Sequence, residues 1–248
     1  MDIGEIISES IRYPTNDMDN IRYPLIVFGM LALPLLLLAI GVYMDVSSIT
    51  GIFTIIFFIG LIAFILIAPG YLLSVTKEGI KRSGTIPEIQ PSRNIVDTIK
   101  LFIISFVYSL IPGIIITILM VILGSSVSSG GIDSATGLFA IVLIITIILE
   151  IIFGLFATIA ILRFANTDSL SDAFSFSEVF EELKQAGILK LILLGIVLGI
   201  ISAIILLVGS FISMIPIIGV FITFLAIYGF VALFESYAMG LFYSDVAE

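Results

Sequence analysis

The sequence predicts an all-α polytopic membrane protein with six transmembrane helices, arranged as three hairpins with cytoplasmic amphipathic helices and both termini in the cytoplasm. Three observations support this prediction: the composition, the length of the apolar runs and the placement of the basic residues. The 248 residues are 60% hydrophobic and only 12% charged, with a mean hydropathy of +1.31. Soluble domains average about half apolar and about a quarter charged. Because so few charges cannot cover a water-exposed surface, most of the outer surface must face lipid.

Six apolar runs of about 20 residues account for the spans, since about 20 helical residues cross a hydrocarbon core of about 30 Å. None of the runs alternates apolar with polar residues, as a barrel strand would. Backbone groups in lipid must be paired within each segment, so the runs are predicted to be helices. The predicted spans are Pro24–Tyr43, Ile52–Leu73, Leu101–Leu123, Leu138–Leu162, Leu191–Phe211 and Ile217–Ala238.

The ten basic residues fall in only three segments: before the first span, between the second and third, and between the fourth and fifth. Basic residues resist translocation, so these segments should be cytoplasmic and the protein should be a multi-pass protein of the cell membrane. The outer connections are short, and the flexible stretch Ser125–Gly131 is one of them. The basic residues are Arg12, Arg22, Lys77, Lys81, Arg82, Arg93, Lys100, Arg163, Lys184 and Lys190.

A threefold pattern divides the single membrane domain into hairpin units of about 1–73, 92–162 and 175–243. Arg22, Lys100 and Lys190 each stand at the entry to an odd-numbered span. Pro34 and Pro112 each follow such a cation by twelve residues, and both are predicted to kink their helices. The units are either true repeats, as in many membrane folds, or hairpins that converged on similar flanks.

Amphipathic helices are predicted on the cytoplasmic side. Near the N-terminus, four isoleucines recur at helical spacing with acidic residues opposite them. Such a helix can lie at the lipid headgroups or pack against the bundle. A second amphipathic stretch begins near Ser175 and carries Val179, Phe180 and Leu183 on one face. The four isoleucines are Ile3, Ile6, Ile7 and Ile11.

Glu150 lies near the middle of the fourth span, where a charged carboxylate costs about 3 kcal/mol on the insertion scale. No Lys or Arg lies at comparable depth, so we expect Glu150 to be protonated and to share a hydrogen bond with a hydroxyl or a carbonyl group. Glu235 lies nearer the cytoplasmic end of the sixth span and should reach the interface. The candidate partners of Glu150 are Ser105, Tyr108, Ser109, Thr117, Thr146 and Ser202.

Gly195 and Gly199 form a GxxxG pattern in the fifth span. Glycines at this spacing allow two helices to approach closely. The pattern is therefore predicted to be a packing surface, either within the chain or between subunits.

Several function classes are excluded by what the sequence lacks. With no Cys and no His, the chain has no disulfide, thiol nucleophile, imidazole base or ordinary zinc ligand. The net charge of −9 argues against a nucleic-acid surface. No nucleotide-binding or hydrolase motif is found, so we predict no enzymatic activity, no cofactor and no metal site. Five acids could in principle hold a divalent ion, but a solvated helix face explains them more simply; they are Asp168, Asp172, Glu178, Glu181 and Glu182.

Short motifs occur along nearly the whole chain; in order they are Arg12-Tyr13-Pro14, Pro69-Gly70-Tyr71-Leu72, Ile86-Pro87-Glu88, Arg163-Phe164, Ala173-Phe174 and Gly240 to Tyr243. Together they resemble a family of uncharacterised, mainly archaeal membrane proteins, domain of unknown function 4013. The chain departs from the expected pattern at Ile89-Gln90-Pro91-Ser92, where relatives should carry an acidic, aromatic stretch. The resemblance implies a multi-helix protein of an archaeal cell membrane, with no established activity and no catalytic residues.

These features favour a non-enzymatic assembly, scaffolding or membrane-organising component that self-associates, as a homo-oligomer, or binds a membrane-protein partner or lipid. The alternative is a small transporter or channel that uses Glu150 as a proton or cation site, with the helices kinked at Pro34 and Pro112 as its pathway. An enzyme acting on lipid through cytoplasmic carboxylates is the least supported, because the spacing of the acids does not predict a shared pocket.

Overall fold

A computed structural model of the chain describes residues 1–128 and 136–247, and the regular structure of these residues is helical. Six described helices are long and apolar enough to cross a membrane, so the prediction of six spans is confirmed and the protein is a multi-pass membrane protein. The six are Arg22–Met44, Ser47–Ile80, Pro91–Ser128, Thr136–Thr167, Ile188–Ser213 and Ile218–Ala247.

The helices vary widely in length. Residues 125–128 of the predicted outer connection are helical, and residues 129–131 of it lie outside the described residues. In chain order the elements are α1 (Ile3–Asn16), α2 (Arg22–Met44), α3 (Ser47–Ile80), α4 (Pro91–Thr167), α5 (Leu170–Ala173), α6 (Phe176–Ala186), α7 (Ile188–Ser213), α8 (Ile218–Ile222), a π-helical segment (Thr223–Tyr228) and α9 (Gly229–Ala247).

The chain divides into two compact units. The first comprises Met1–Lys100 and Ala186–Glu248, and the second comprises Leu101–Gln185. The first and third predicted hairpin units therefore lie largely in one compact unit, whereas the second lies largely in the other.

In the first unit, α1 begins at a capping box. The backbone N–H of Asp2 donates to Glu5 Oε2 at 2.9 Å, and the N–H of Glu5 donates to Asp2 Oδ1 at 2.8 Å. These two bonds satisfy donors that a helix start would otherwise leave free. The helix buries Ile6 and Tyr13 but leaves Ile11 exposed, so the predicted apolar face is only partly covered.

Helices α2 and α3 approach closely at small residues. A Cβ added at Gly60 would collide with the carbonyl oxygen of Met30 and lie 3.3 Å from Pro34 Cβ. Where α2 ends and α3 begins, the Thr50 hydroxyl donates to the carbonyl of Gly41 at 2.9 Å. Absent side chains thus let the two backbones come together, as in membrane helix packing generally.

Helices α3 and α9 cross at two glycines. A Cβ on Gly79 would lie 2.9 Å from Gly240 Cα, and a Cβ on Gly240 would lie 2.8 Å from Gly79 Cα. Only glycine fits at either position without a shift of the backbone. Beside this crossing, α1 packs on α9 through Tyr13 and Tyr237, whose rings stack with centroids 3.9 Å apart.

In the second unit, the backbone of Asp172 and Ala173 accepts hydrogen bonds from the third and the fourth span. The Tyr108 hydroxyl donates to the carbonyl of Ala173 at 2.8 Å, and Arg163 Nε donates to the carbonyl of Asp172 at 3.1 Å. The guanidinium of Arg163 also pairs with Glu178 and Glu182. These two members of the predicted acidic helix face therefore neutralise a cation of their own unit.

Candidate functional site

The buried charges of the first unit lie where the C-terminal end of α3 meets the start of α4. Lys77 Nζ lies 3.3 Å from Asp97 Oδ2, and the two side chains are only 10% and 5% exposed. Arg93 Nε lies 3.8 Å from the same carboxylate oxygen. Because burial removes the hydration of Lys77 and Asp97, these two charges are held more firmly than a surface ion pair, whereas the Arg93 side chain is 49% exposed.

The start of α4 is held against α3 by hydrogen bonds. Pro91 occupies the first turn, where its missing N–H costs nothing, and the N–H of Gln90 donates to Asn94 Oδ1 at 3.0 Å. The N–H of Gly70 donates to Thr98 Oγ1 at 2.9 Å. A side chain at Gly70 would collide with the backbone of Asn94. The glycine in the Pro69-Gly70 motif is thus required for this helix contact.

A polar cavity of about 420 Å³ opens beside this contact. Its wall comes from the end of α3, the connection to α4 and the first turn of α4. The cations of the wall are Lys77, Lys81 and Arg93, and its carboxylates are Glu78 and Glu88. We call this volume the polar cavity.

The connection that closes the polar cavity is fastened to the segment after α1. Asp17 Oδ2 accepts hydrogen bonds from the side-chain amide of Asn20 at 2.9 Å and from the N–H of Ile86 at 3.0 Å. These two bonds, the one from Asn20 most strongly, hold the pKa of Asp17 below its usual value. On the other side, the Tyr13 hydroxyl donates to the carbonyl of Thr85 at 3.0 Å. Burial above all, together with the nearby Tyr71 and Glu78, raises the pKa of Tyr13.

An ionic junction at Asp245 joins the ends of three helices of the first unit. Asp245 accepts from Arg82 Nη2 at 2.7 Å and lies 3.4 Å from Lys190 Nζ. Lys190 also lies over the ring of Phe242, at 5.6 Å from its centroid. The end of α3, the start of α7 and the end of α9 therefore share one carboxylate.

The structure does not bring the predicted hydroxyl partners to Glu150. Tyr108 donates to Ala173, as described above, while Ser109 donates to the carbonyl of Phe106 and Thr117 to that of Gly113, at 2.9 and 2.7 Å. Among the described residues these three hydroxyls donate to backbone carbonyl groups, and their pairing with Glu150 stays a prediction.

Glu150 itself is exposed at the surface of the described chain, as is the predicted partner Ser105. One turn before Glu150, the hydroxyl oxygen of Thr146 is buried and has no hydrogen-bond partner among the described residues.

Ser202 donates a hydrogen bond to Glu235, the acid of the sixth span. Its hydroxyl donates to Glu235 Oε1 at 2.5 Å, and Ser202 is buried while Glu235 is half-buried. Ser202 was predicted as a partner of Glu150; the bond found among the described residues is the one to Glu235. Glu235 therefore has a hydrogen-bonding partner within the spans, and its access to the interface stays a prediction.

The remaining predicted positions have simple surroundings. Pro34 and Pro112 are both buried inside helices, α2 and α4. A Cβ on Gly195 or Gly199 would meet no described atom within 4 Å. Packing of this pair within the chain therefore finds no support, and a contact with another subunit stays a prediction.

The sequence analysis missed the buried pair Lys77 and Asp97, although a signal for it was present. Asn94, Asp97 and Thr98 recur at helical spacing, so one face of the first turns of α4 is polar. All three residues are buried, against α3. Among the described residues, no group of three acids could hold a metal ion.

Comparison with known proteins gives a family and no closer relative. No curated protein and no solved structure matches the chain. The model of a family described as "Protein of unknown function (DUF4013)" matches residues 52–214, from α3 to the end of α7. The chain therefore belongs to the DUF4013 family, as its short motifs indicated.

Proposed function

We propose that this protein is a non-enzymatic component of the cell membrane that organises its surroundings by associating with further copies of itself. The observation that carries the proposal is the exposure of Glu150 within an apolar span. In a bilayer, a surface that includes a carboxyl group at this depth is costly unless another polar group covers it.

A hairpin arrangement of the six spans is part of this proposal. In the first unit, the contacts of Gly41 with Thr50 and of Gly60 with Met30 support an antiparallel α2 and α3. The bonds from Ser202 to Glu235 and from Ser213 to Thr223 support the same relation for α7 and the last span.

The second unit supports a third hairpin. Arg163 donates to the carbonyl of Asp172, and Tyr108 donates to the carbonyl of the next residue, Ala173. A straight helix would hold Tyr108 and Arg163 about 80 Å apart at 1.5 Å per residue. The two hydrogen bonds therefore support our proposal that the chain reverses its direction between Tyr108 and Arg163.

Cytoplasmic termini follow from the same arrangement. The Asp245 junction draws together Arg82 and Lys190, which belong to two of the three basic segments of the sequence. Basic segments stay on the side of synthesis, so the ends of α3 and α9 are assigned to the cytoplasm. The amphipathic α1, packed against α9 through Tyr13, lies at the same side of the membrane in this arrangement.

Self-association gives Glu150 a polar environment without a cation. A protonated carboxyl can donate to a hydroxyl or carbonyl of a second copy, and such bonds in membranes contribute about 0.6 to 2 kcal/mol each. The open face at Gly195 and Gly199 offers a second place where a helix of another copy could approach closely. Both features are typical of surfaces that associate in lipid.

The test is the stoichiometry of the full chain in lipid nanodiscs, measured by single-molecule photobleaching. We expect more than one copy per disc, and we expect Glu150→Leu to weaken association about fivefold. Glu181→Gln is the matched control, because Glu181 is an exposed acid outside the spans. A monomer at every protein-to-lipid ratio would overturn the proposal. Proton flux through a monomer that is lost in Glu150→Gln would favour the transporter instead.

A further inference from the structure

We propose that a groove on the third span receives Glu150 of a second copy of this chain. The inference rests on the self-association proposed above and names the surface that Glu150 meets. The groove has a volume of about 420 Å³ and lies on the part of α4 that forms the third span, between Phe106 and Ile118. Because Gly113 stands midway along it, we call it the Gly113 groove.

The Gly113 groove is a gap between large apolar side chains. Phe106, Ile114 and Ile118 line it, and each is more than half exposed. A Cβ added at Gly113 would meet no described atom within 4 Å, so the described chain leaves this space open. In a bilayer, a position without a side chain allows a neighbouring helix to approach closely.

Two hydroxyl groups line the same groove, one turn on either side of Gly113. Ser109 donates to the carbonyl of Phe106 at 2.9 Å, and Thr117 donates to the carbonyl of Gly113 at 2.7 Å. A hydroxyl group has one donor and two acceptor lone pairs, so both side chains can still accept a hydrogen bond. The Gly113 groove therefore combines open space with acceptors for a donor from outside the chain.

Glu150 is the side chain that carries such a donor. It is exposed on the fourth span, and its protonated carboxyl group has one O–H donor. Gly154 follows four residues later and so lies on the same face of the helix. A Cβ on Gly154 would also meet no described atom within 4 Å. A second helix can therefore come close beside Glu150, and a carboxyl group in hydrocarbon requires a polar partner there.

The six-span topology places Gly113 and Glu150 at matching depths. Each stands within one turn of the midpoint of its predicted span, Leu101–Leu123 and Leu138–Leu162 respectively. Copies of a membrane protein share one orientation in the bilayer, so a twofold axis between two copies runs along the membrane normal and residues of equal depth meet across it. Since the two spans run in opposite directions in the hairpin proposed above, the third span of one copy packs antiparallel to the fourth span of the other.

The contact is self-complementary, and for this reason we assign the groove to a second copy and not to a different protein. Every copy carries both the Gly113 groove and the exposed Glu150. A twofold pair thus covers two carboxyl groups with two grooves, which is the match that an isologous interface requires. Helical side chains lean toward the N-terminus of their helix, so the carboxyl group of Glu150 comes beside the Thr117 hydroxyl of the second copy and donates to it.

The first measurement traps this contact with single cysteines, because the chain has none of its own. Full-length chains carrying Ser109→Cys are co-expressed with differently tagged chains carrying Gly154→Cys, reconstituted in lipid nanodiscs and oxidised. We expect at least tenfold more disulfide-linked dimer of the two tags than when Ile111→Cys replaces Ser109→Cys. Ile111 is the matched control, because it is exposed on the same span and lies outside the Gly113 groove.

The second measurement fills the groove. Gly113→Leu should weaken association about fivefold in the photobleaching assay, whereas Gly124→Leu, where a Cβ also meets no described atom within 4 Å, should leave association unchanged. If wild-type chains associate but give no excess of the linked dimer, or lose no more association in Gly113→Leu than in Gly124→Leu, the groove is overturned and self-association stands. A wild-type monomer at every protein-to-lipid ratio would overturn both proposals.

Discussion

At the scale of the residue, intramembrane and buried polar groups in this protein are distinguished by their partners. Glu235 has Ser202 at 2.5 Å, and Lys77 has Asp97 at 3.3 Å, whereas Glu150 is exposed. A buried charge with a fixed partner has a structural role. An exposed acid in an apolar span instead points outward, to whatever covers that face.

Asp17 makes stability depend on pH in a predictable direction. Its hydrogen bonds lower its pKa in the folded chain relative to the ordinary value of 3.8. The stabilisation is therefore fully present above pH 3.8 and is lost as the pH falls through the lower, folded value. We expect Asp17→Asn to lower the thermal midpoint at pH 6 and to flatten its decline between about pH 4 and pH 2.

The control is Asp19→Asn, which changes an acid of the same connection that is exposed. Thermal unfolding in detergent across this pH range, followed by circular dichroism, makes the measurement. An unchanged acid slope in Asp17→Asn would contradict a lowered pKa of Asp17 in the folded chain.

At the scale of the element, close helix contact depends on which glycines face a neighbour. The sequence pattern drew attention to Gly195 and Gly199, whose faces are open. The glycines that allow helices to touch instead include Gly60, Gly70, Gly79 and Gly240, which lie at no GxxxG spacing with one another. Spacing within one helix cannot reveal a contact to which each helix contributes a single glycine.

Alanine substitution should lower the stability at a glycine that touches another helix and should not lower it at a glycine whose face is open. Gly79→Ala places a methyl group 2.9 Å from Gly240 Cα, and overpacking of this kind typically costs about 1 to 3 kcal/mol. Gly199→Ala meets open space and should be neutral or stabilising by up to about 1 kcal/mol, because alanine favours the helix. Unfolding in a denaturing detergent titration measures both variants. Equal destabilisation by the two would contradict the assignment of the α3 and α9 crossing.

At the scale of the whole molecule, the spans and the basic segments together define a topology with six crossings. The described helices support the number of spans. The side of the membrane that we propose for each connection is open to a direct test, because the chain contains no cysteine.

Single cysteines should report the sidedness. In intact cells, a membrane-impermeant maleimide should label Ser125→Cys and should not label Lys184→Cys, since the first lies in a predicted outer connection and the second in a basic segment. Both should react after the membrane is opened, which is the control for accessibility. Labelling of Lys184→Cys from outside would overturn the topology and the cytoplasmic placement of α6.

The sequence by itself determined that this protein is helical, spans the membrane six times and belongs to its family, because these properties depend on composition, run length and short motifs. Tertiary structure alone decided that Ser202 bonds to Glu235, that Gly79 meets Gly240 and that Lys77 pairs with Asp97. The reason is physical. Lipid selects for apolar residues along each segment separately, whereas a hydrogen bond or a close backbone contact depends on residues that lie far apart in the chain.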